Sequence, residues 1–92
     1  MNFKFIGWCN QGKHDKVWGV IKLDRPNVLV FWGRRGAKLQ TKHSVDNNEL
    51  SRLIDSKLIK GYNAIESIHL DQIYPEFQHD LEQSAIWASL KF

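Results

Sequence analysis

The residues best equipped for chemistry lie in the stretch VLVFWGRRGAKLQTK, residues 28–42. Trp32, Gly33, Arg34, Arg35 and Gly36 set an indole and two guanidiniums at the end of an apolar strand. An indole offers a flat apolar surface, and a guanidinium fork grips phosphate or carboxylate through paired hydrogen bonds. Strand alternation puts Trp32 on the face of Arg34, and Phe31 on the face of Arg35. Gly33 lets a backbone or ligand come close to the ring. Gly36 permits a turn that returns Lys38, Gln40 and Lys42 beside it. A ring bordered by fixed cations suits nucleic acid, because the ring packs on a base or sugar while Arg and Lys neutralise phosphates. The same residues also read as a tryptophan lid over a small core, with arginines at the solvent edge and cation–π contact between them.

Other chemistries are poorly supplied. GWCNQGKH (7–14) nearly matches the phosphate-loop pattern G-x-x-x-x-G-K-[ST]. His14 replaces the hydroxyl that would hold magnesium, and the residues after it alternate like a strand instead of opening a helix. The anion site therefore lacks a helix N-terminus and its aligned amides. His14, His43, His69 and His79 have no metal-ligand spacing with one another or with Cys9. No nucleophile and base stand in a recognisable arrangement. Neither catalysis nor a cofactor or metal is expected.

The elements that position these residues fall into two halves. FKFIGWC (3–9), KVWGVIKL (16–23), VLVFWGR (28–34) and AKLQTKH (37–43) read as four strands of an antiparallel meander, with turns at QGKHD (11–15) and DRPN (24–27). In the second strand Val17, Ile21 and Leu23 share one face, and Lys16, Trp18 and Lys22 the other. The continuous apolar run of the third predicts burial on both faces. In the fourth, Lys38, Gln40 and Lys42 oppose Ala37, Leu39 and Thr41. By alternation with Phe5, Cys9 is expected to be buried.

From residue 46 the period becomes helical. Asp46 and Glu49 have capping-box spacing, and Leu50, Leu53, Ile54 and Leu58 make an apolar stripe. Lys57 and Lys60 suit the last turn, and Gly61 closes it. YNAIESIHL (62–70) reads as a returning fifth strand. Pro75 opens a second helix, with Phe77, Leu81, Ala85 and Ala88 at period-four spacing. The expected architecture is α+β: an antiparallel β-meander of four to five strands packed on a long α-helix, with an additional C-terminal helix.

Bulk properties narrow the class. Ninety-two residues make one small domain, with an expected stability of roughly 5 kcal/mol. The single cysteine cannot form an internal disulfide, which fits a reducing compartment. No signal peptide is evident, and nothing approaches the roughly 18 apolar residues of a membrane span. The net charge of +3 divides unevenly: residues 1–45 carry +7 and residues 46–92 carry −4. That split points to one electropositive face, which attracts polyanions.

Trp32-Gly33-Arg34 after an apolar strand, then Arg35-Gly36 and another strand, then a helix ending in Lys60-Gly61-Tyr62, resembles the WGR domain. DKVWGVIKL (15–23) is similar to that family's second strand. The resemblance covers roughly residues 3–66. This module occurs in DNA-dependent poly(ADP-ribose) polymerases and in small bacterial proteins. The resemblance implies a strand meander on a long helix and an activity in nucleic-acid binding, best understood for DNA ends. It implies that Trp32, in the position of the motif tryptophan, packs against the sugar at a duplex end. Arg34, in the position of the motif arginine, lies near the DNA, a residue that the polymerases also use between domains. No ADP-ribosyl transfer is expected.

Residues 1–67 are thus expected to form a WGR-like domain and residues 68–92 a helical extension packed on it. The expected function is non-catalytic binding of nucleic acid, namely double-stranded DNA at or near ends or nicks, in the cytoplasm or on the nucleoid. Trp32, Gly33, Arg34, Arg35, Lys38, Gln40 and Lys42 would carry it. The alternative is a protein-interaction module that uses the WGR surface or the acidic C-terminal helix, which could present Ile86, Trp87 and Leu90 to a protein partner or to a second copy.

Overall fold

A computed structural model describes residues 2–23, 28–44 and 47–84. Strands β1 (Asn2–Gln11), β2 (His14–Lys22), β3 (Val28–Arg34) and β4 (Gln40–Ser44) precede helix α1 (Asn47–Ile59). A short strand β5 (Asn63–Ala64) follows, then helices α2 (Ser67–Ile73) and α3 (Phe77–Glu82). The five strands form one antiparallel sheet in the order β4-β3-β2-β1-β5. The fold is α+β, as expected.

Helices cover both faces of the sheet, which explains the unbroken apolar run of β3. Leu29 and Phe31 face α2 and α3, in a core with Ile6, Val17, Ile21, Leu39, Leu70, Tyr74, Phe77 and Leu81. Val28 and Val30 face the other way, toward a core of Cys9, Trp18, Val20, Leu50 and Tyr62, with Trp32, Leu53 and Ile54 partly buried beside it. Phe31 is fully enclosed, and its ring stands 4.9 Å from that of Phe77, edge to face. Burying a side chain of this size stabilises by roughly 2–3 kcal/mol. Residues 70–81 therefore complete the core.

Three expectations need correction. The region 62–70 is not a full strand. Only Asn63 and Ala64 pair with β1, and the amide of Ile65 closes the pairing by donating to the Ile6 carbonyl at 2.9 Å. Helix α2 then takes over, because Leu70 and Tyr74, four apart, both reach the core while Ile68 stays 59% exposed. β4 starts at Gln40, so Ala37 and Lys38 lie in the connection ahead of it.

α1 has 13 residues, and its apolar stripe is shorter than expected. Leu50, Leu53 and Ile54 pack inward, but Leu58 is 45% exposed. The inward place one turn after Ile54 belongs to Lys57. The helix closes as anticipated at Gly61, whose φ of +101° suits glycine. The Tyr62 amide donates to the Lys57 carbonyl and the Gly61 amide to that of Leu58, the two bonds of a Schellman ending. The turn DRPN, the capping residue Asp46 and residues 85–92 lie outside the described residues.

Candidate functional site on the α1 face of the sheet

The register of β2, β3 and β4 assembles the site. Trp32 stands across from Trp18 on β2 and from Gln40 on β4, while Arg34 stands across from Lys16 and Val30 from Lys42. Alternation then places Trp18, Trp32, Arg34, Gln40 and Lys42 on one face, the one that α1 covers. α1 does not reach far enough to seal it. A groove of about 320 Å³ remains, lined by Trp18, Val30, Trp32, Lys42, Leu53 and Lys57. Trp18 forms its buried floor, and Trp32 is only partly covered. Gln40, Lys42 and Arg34 are exposed.

Lys57 is the residue that sequence reading missed. Its ammonium sits 5.7 Å from the ring centroids of both Trp18 and Tyr62, within cation–π range. Burial lowers its pKa below the ordinary lysine value, and the nearby charges of Lys60 and Lys16 lower it further. Its position was legible in principle, because residue 57 continues the inward stripe seven residues after Leu50. Burial also raises the pKa of the Tyr62 phenol. The groove thus combines aromatic surface with cations on both rims, Lys42 from the sheet and Lys57 from the helix.

The structure separates the two arginines of the motif. Arg35 turns to the opposite face and engages Asp15 by hydrogen bonds from Nε at 3.1 and 2.9 Å and from Nη2 at 2.7 Å. Its Nη1 also donates to the Ile73 carbonyl at the end of α2, and its guanidinium carbon lies 5.7 Å from the Trp8 ring centroid. Trp8 donates to the same Asp15 carboxylate at 2.8 Å. Hydrogen bonds from Arg35 and then Trp8 hold the Asp15 carboxyl below its usual range. Arg35 is therefore a tie between the sheet and α2, and its charge is already matched. The guanidinium expected as a free phosphate contact is thus already paired with an acid.

Gly33 meets a constraint that alternation does not reveal. Its φ is +153°, and a Cβ there would approach Leu39 Cδ2 to 3.1 Å. The space that a Cβ at residue 33 would take is bordered by Leu39, so packing against Leu39 by itself favours glycine here. Lys38 is exposed in the connection before β4 and does not line the groove.

Residues 7–14 form a β-hairpin, which leaves no phosphate-binding loop. Among the described residues, no group of three or more His, Cys, Asp and Glu side chains is placed to hold a metal ion. Among them, too, no helix is long and apolar enough to cross a membrane. No family model, curated protein or solved structure matches this chain.

Proposed function

We propose that the protein is a non-catalytic nucleic-acid-binding module that takes duplex DNA at or near an end or nick in the α1-face groove. The observation that carries this reading is the partly uncovered Trp32 at a groove rimmed by Lys42 and Lys57, with Arg34 and Gln40 exposed on the same face. Trp32 offers its ring to a terminal sugar or base, and Arg34, Lys42 and Lys57 neutralise phosphates. The similarity of Trp32-Gly33-Arg34 and Lys60-Gly61-Tyr62 to the WGR pattern supports the same assignment. A lone buried thiol suits a reducing compartment, so we place the protein in the cytoplasm or on the nucleoid.

The test is fluorescence anisotropy with a labelled blunt duplex and a closed dumbbell of the same sequence, each at about 50 and about 200 mM salt. Tighter, salt-sensitive binding to the open duplex is expected. Trp32→Ala is expected to weaken it by about tenfold, since stacking on an aromatic contributes on the order of 1–3 kcal/mol. Equal binding to both would remove end recognition and leave a general polyanion surface. Absence of binding to either would overturn the reading and favour a protein partner.

A further inference from the structure

A second cavity lies on the same face, between the end of the β1–β2 hairpin and the end of α1. It has a volume of about 330 Å³, and its lining includes Gln11, His14, Lys16, Lys57, Lys60 and Tyr62. Three ammoniums and an imidazole converge here from β2 and the end of α1, and no carboxylate lines the space. Among the described residues none of the three lysines pairs with an acid. The nearest acid in sequence, Asp15, is taken up by Arg35 and Trp8 on the other face.

Bringing like charges together costs free energy unless something offsets it. The dipole of α1 accounts for a cation at Lys57 or Lys60, both near the helix C-terminus. It does not account for Lys16 and His14, which the hairpin adds from across the cavity. The repulsion is felt at Lys57, whose pKa is lowered first by burial and then by the charges of Lys60 and Lys16. The fit of the two elements is close, because a Cβ at Gly61 would lie 3.1 Å from Gln11 Oε1. Lys57 and Lys16 are half-buried in the wall of this space, and Lys60 and His14 stand exposed at its mouth.

We propose that this cavity is a binding site for a phosphate group, adjoining the Trp32 groove and sharing only Lys57 with it. Lysine ammoniums act as point charges that suit a tetrahedral oxyanion. The Gln11 amide and the Tyr62 hydroxyl add neutral donors, and His14 adds a donor on its ring. The volume falls at the lower end of small-ligand sites and leaves room for a sugar carried by the phosphate. The phosphate could belong to a free phosphorylated small molecule or to a nucleic-acid strand, and the experiment separates them.

The experiment follows backbone amide resonances of the full chain in two titrations, one with inorganic phosphate and one with a hydroxyl-ended oligothymidylate, which carries only diesters. Saturable shifts at Gln11, Lys16, Lys60, Gly61 and Tyr62 are expected with inorganic phosphate. Lys16→Gln and Lys60→Gln, both at accessible side chains, should each weaken it about fivefold, the loss expected for one charge-assisted contact. Trp32→Ala should leave phosphate binding unchanged, so failure of the groove reading would not be mistaken for failure of this one. A response to phosphate alone assigns the site to a free phosphorylated ligand. A response to the oligothymidylate at the same amides, weakened by the same two variants, assigns it to a strand. Shifts that do not saturate, or affinities equal in both variants and the parent, would overturn the proposal.

Discussion

On β3, Phe31 and Trp32 are neighbours that meet opposite fates. Phe31 is sealed beneath Phe77, Tyr74 and Leu81, while Trp32 is left half open beside Lys42 and Lys57. The difference comes from what covers each face. Two short helices and Leu39 close one side, and Arg35 ties it down through Asp15 and Ile73. A single helix covers the other, and its apolar stripe gives way to Lys57 before the sheet ends. The charges sort in the same way. Arg35 is matched where the face is closed, whereas Lys16, Lys42, Lys57 and Lys60 lack acidic partners among the described residues where it is open. One face of this sheet is closed by packing, and the other keeps an uncovered groove beside its own smaller core.

The strongest way to break that comparison is Phe77→Ala. The Phe77 ring packs 4.9 Å from Phe31, 5.7 Å from Tyr74 and 5.9 Å from Phe3, so its loss leaves a cavity in the closed core. A cost of about 3–5 kcal/mol is expected, comparable with the whole stability of a domain this size. Urea unfolding should find the variant largely unfolded in buffer, while Trp32→Ala changes stability by less than about 1 kcal/mol. Similar costs for the two variants would mean that Trp32 is core after all.

Gly19→Ala probes the same face more gently. A Cβ at residue 19 would lie 2.4 Å from Phe31 Cζ and 2.8 Å from the Phe5 carbonyl oxygen, so both the ring and the β1 backbone must shift. Overpacking of this kind costs roughly 1–3 kcal/mol. The expected result is a lower urea midpoint with no loss of the DNA binding proposed for the Trp32 groove, because the added methyl points to the closed side and Gly19 does not line the groove. Loss of binding at unchanged stability would show that the faces are coupled through β2.

Much of this division was legible in alternation. The opposite facing of Phe31 and Trp32, the burial of Cys9, and the shared face of Lys16 and Trp18 all follow from the two-residue period. Helix α1 and its ending at Gly61 were legible from stripe and cap. What could not be read were pairings across long separations. Arg35 and Asp15 lie twenty residues apart, and only the β2–β3 register brings them together. The fifth strand was misjudged because Ile65, Ile68 and Leu70 look like a strand in isolation, whereas packing uses Leu70 and Tyr74 and leaves Ile68 outside. Lys57 was read as a dipole partner, and its second role depends on two rings that tertiary packing carries to it.

The smallest effect concerns the Arg35–Asp15 tie, and its sign is set by pH. Asp15 has its carboxyl pKa lowered in the folded protein, first by the Arg35 hydrogen bonds and then by that of Trp8. A group depressed on folding contributes stability that is present above its unfolded pKa, near 3.8, and lost as pH falls through the lower folded value. The carboxylate is 33% exposed, so solvent screens the pair and the contribution at neutral pH is about 1 kcal/mol or less. Asp15→Asn keeps an acceptor for Trp8 but removes the charge that Arg35 meets. At neutral pH it should melt slightly below the parent. Below about pH 4 the gap should close, because the parent then loses what the variant never had. Parallel melting curves for the two proteins from neutral pH down to about pH 2 would remove the tie from the closed face's stability. Closure of that face would then rest on the aromatic cluster alone.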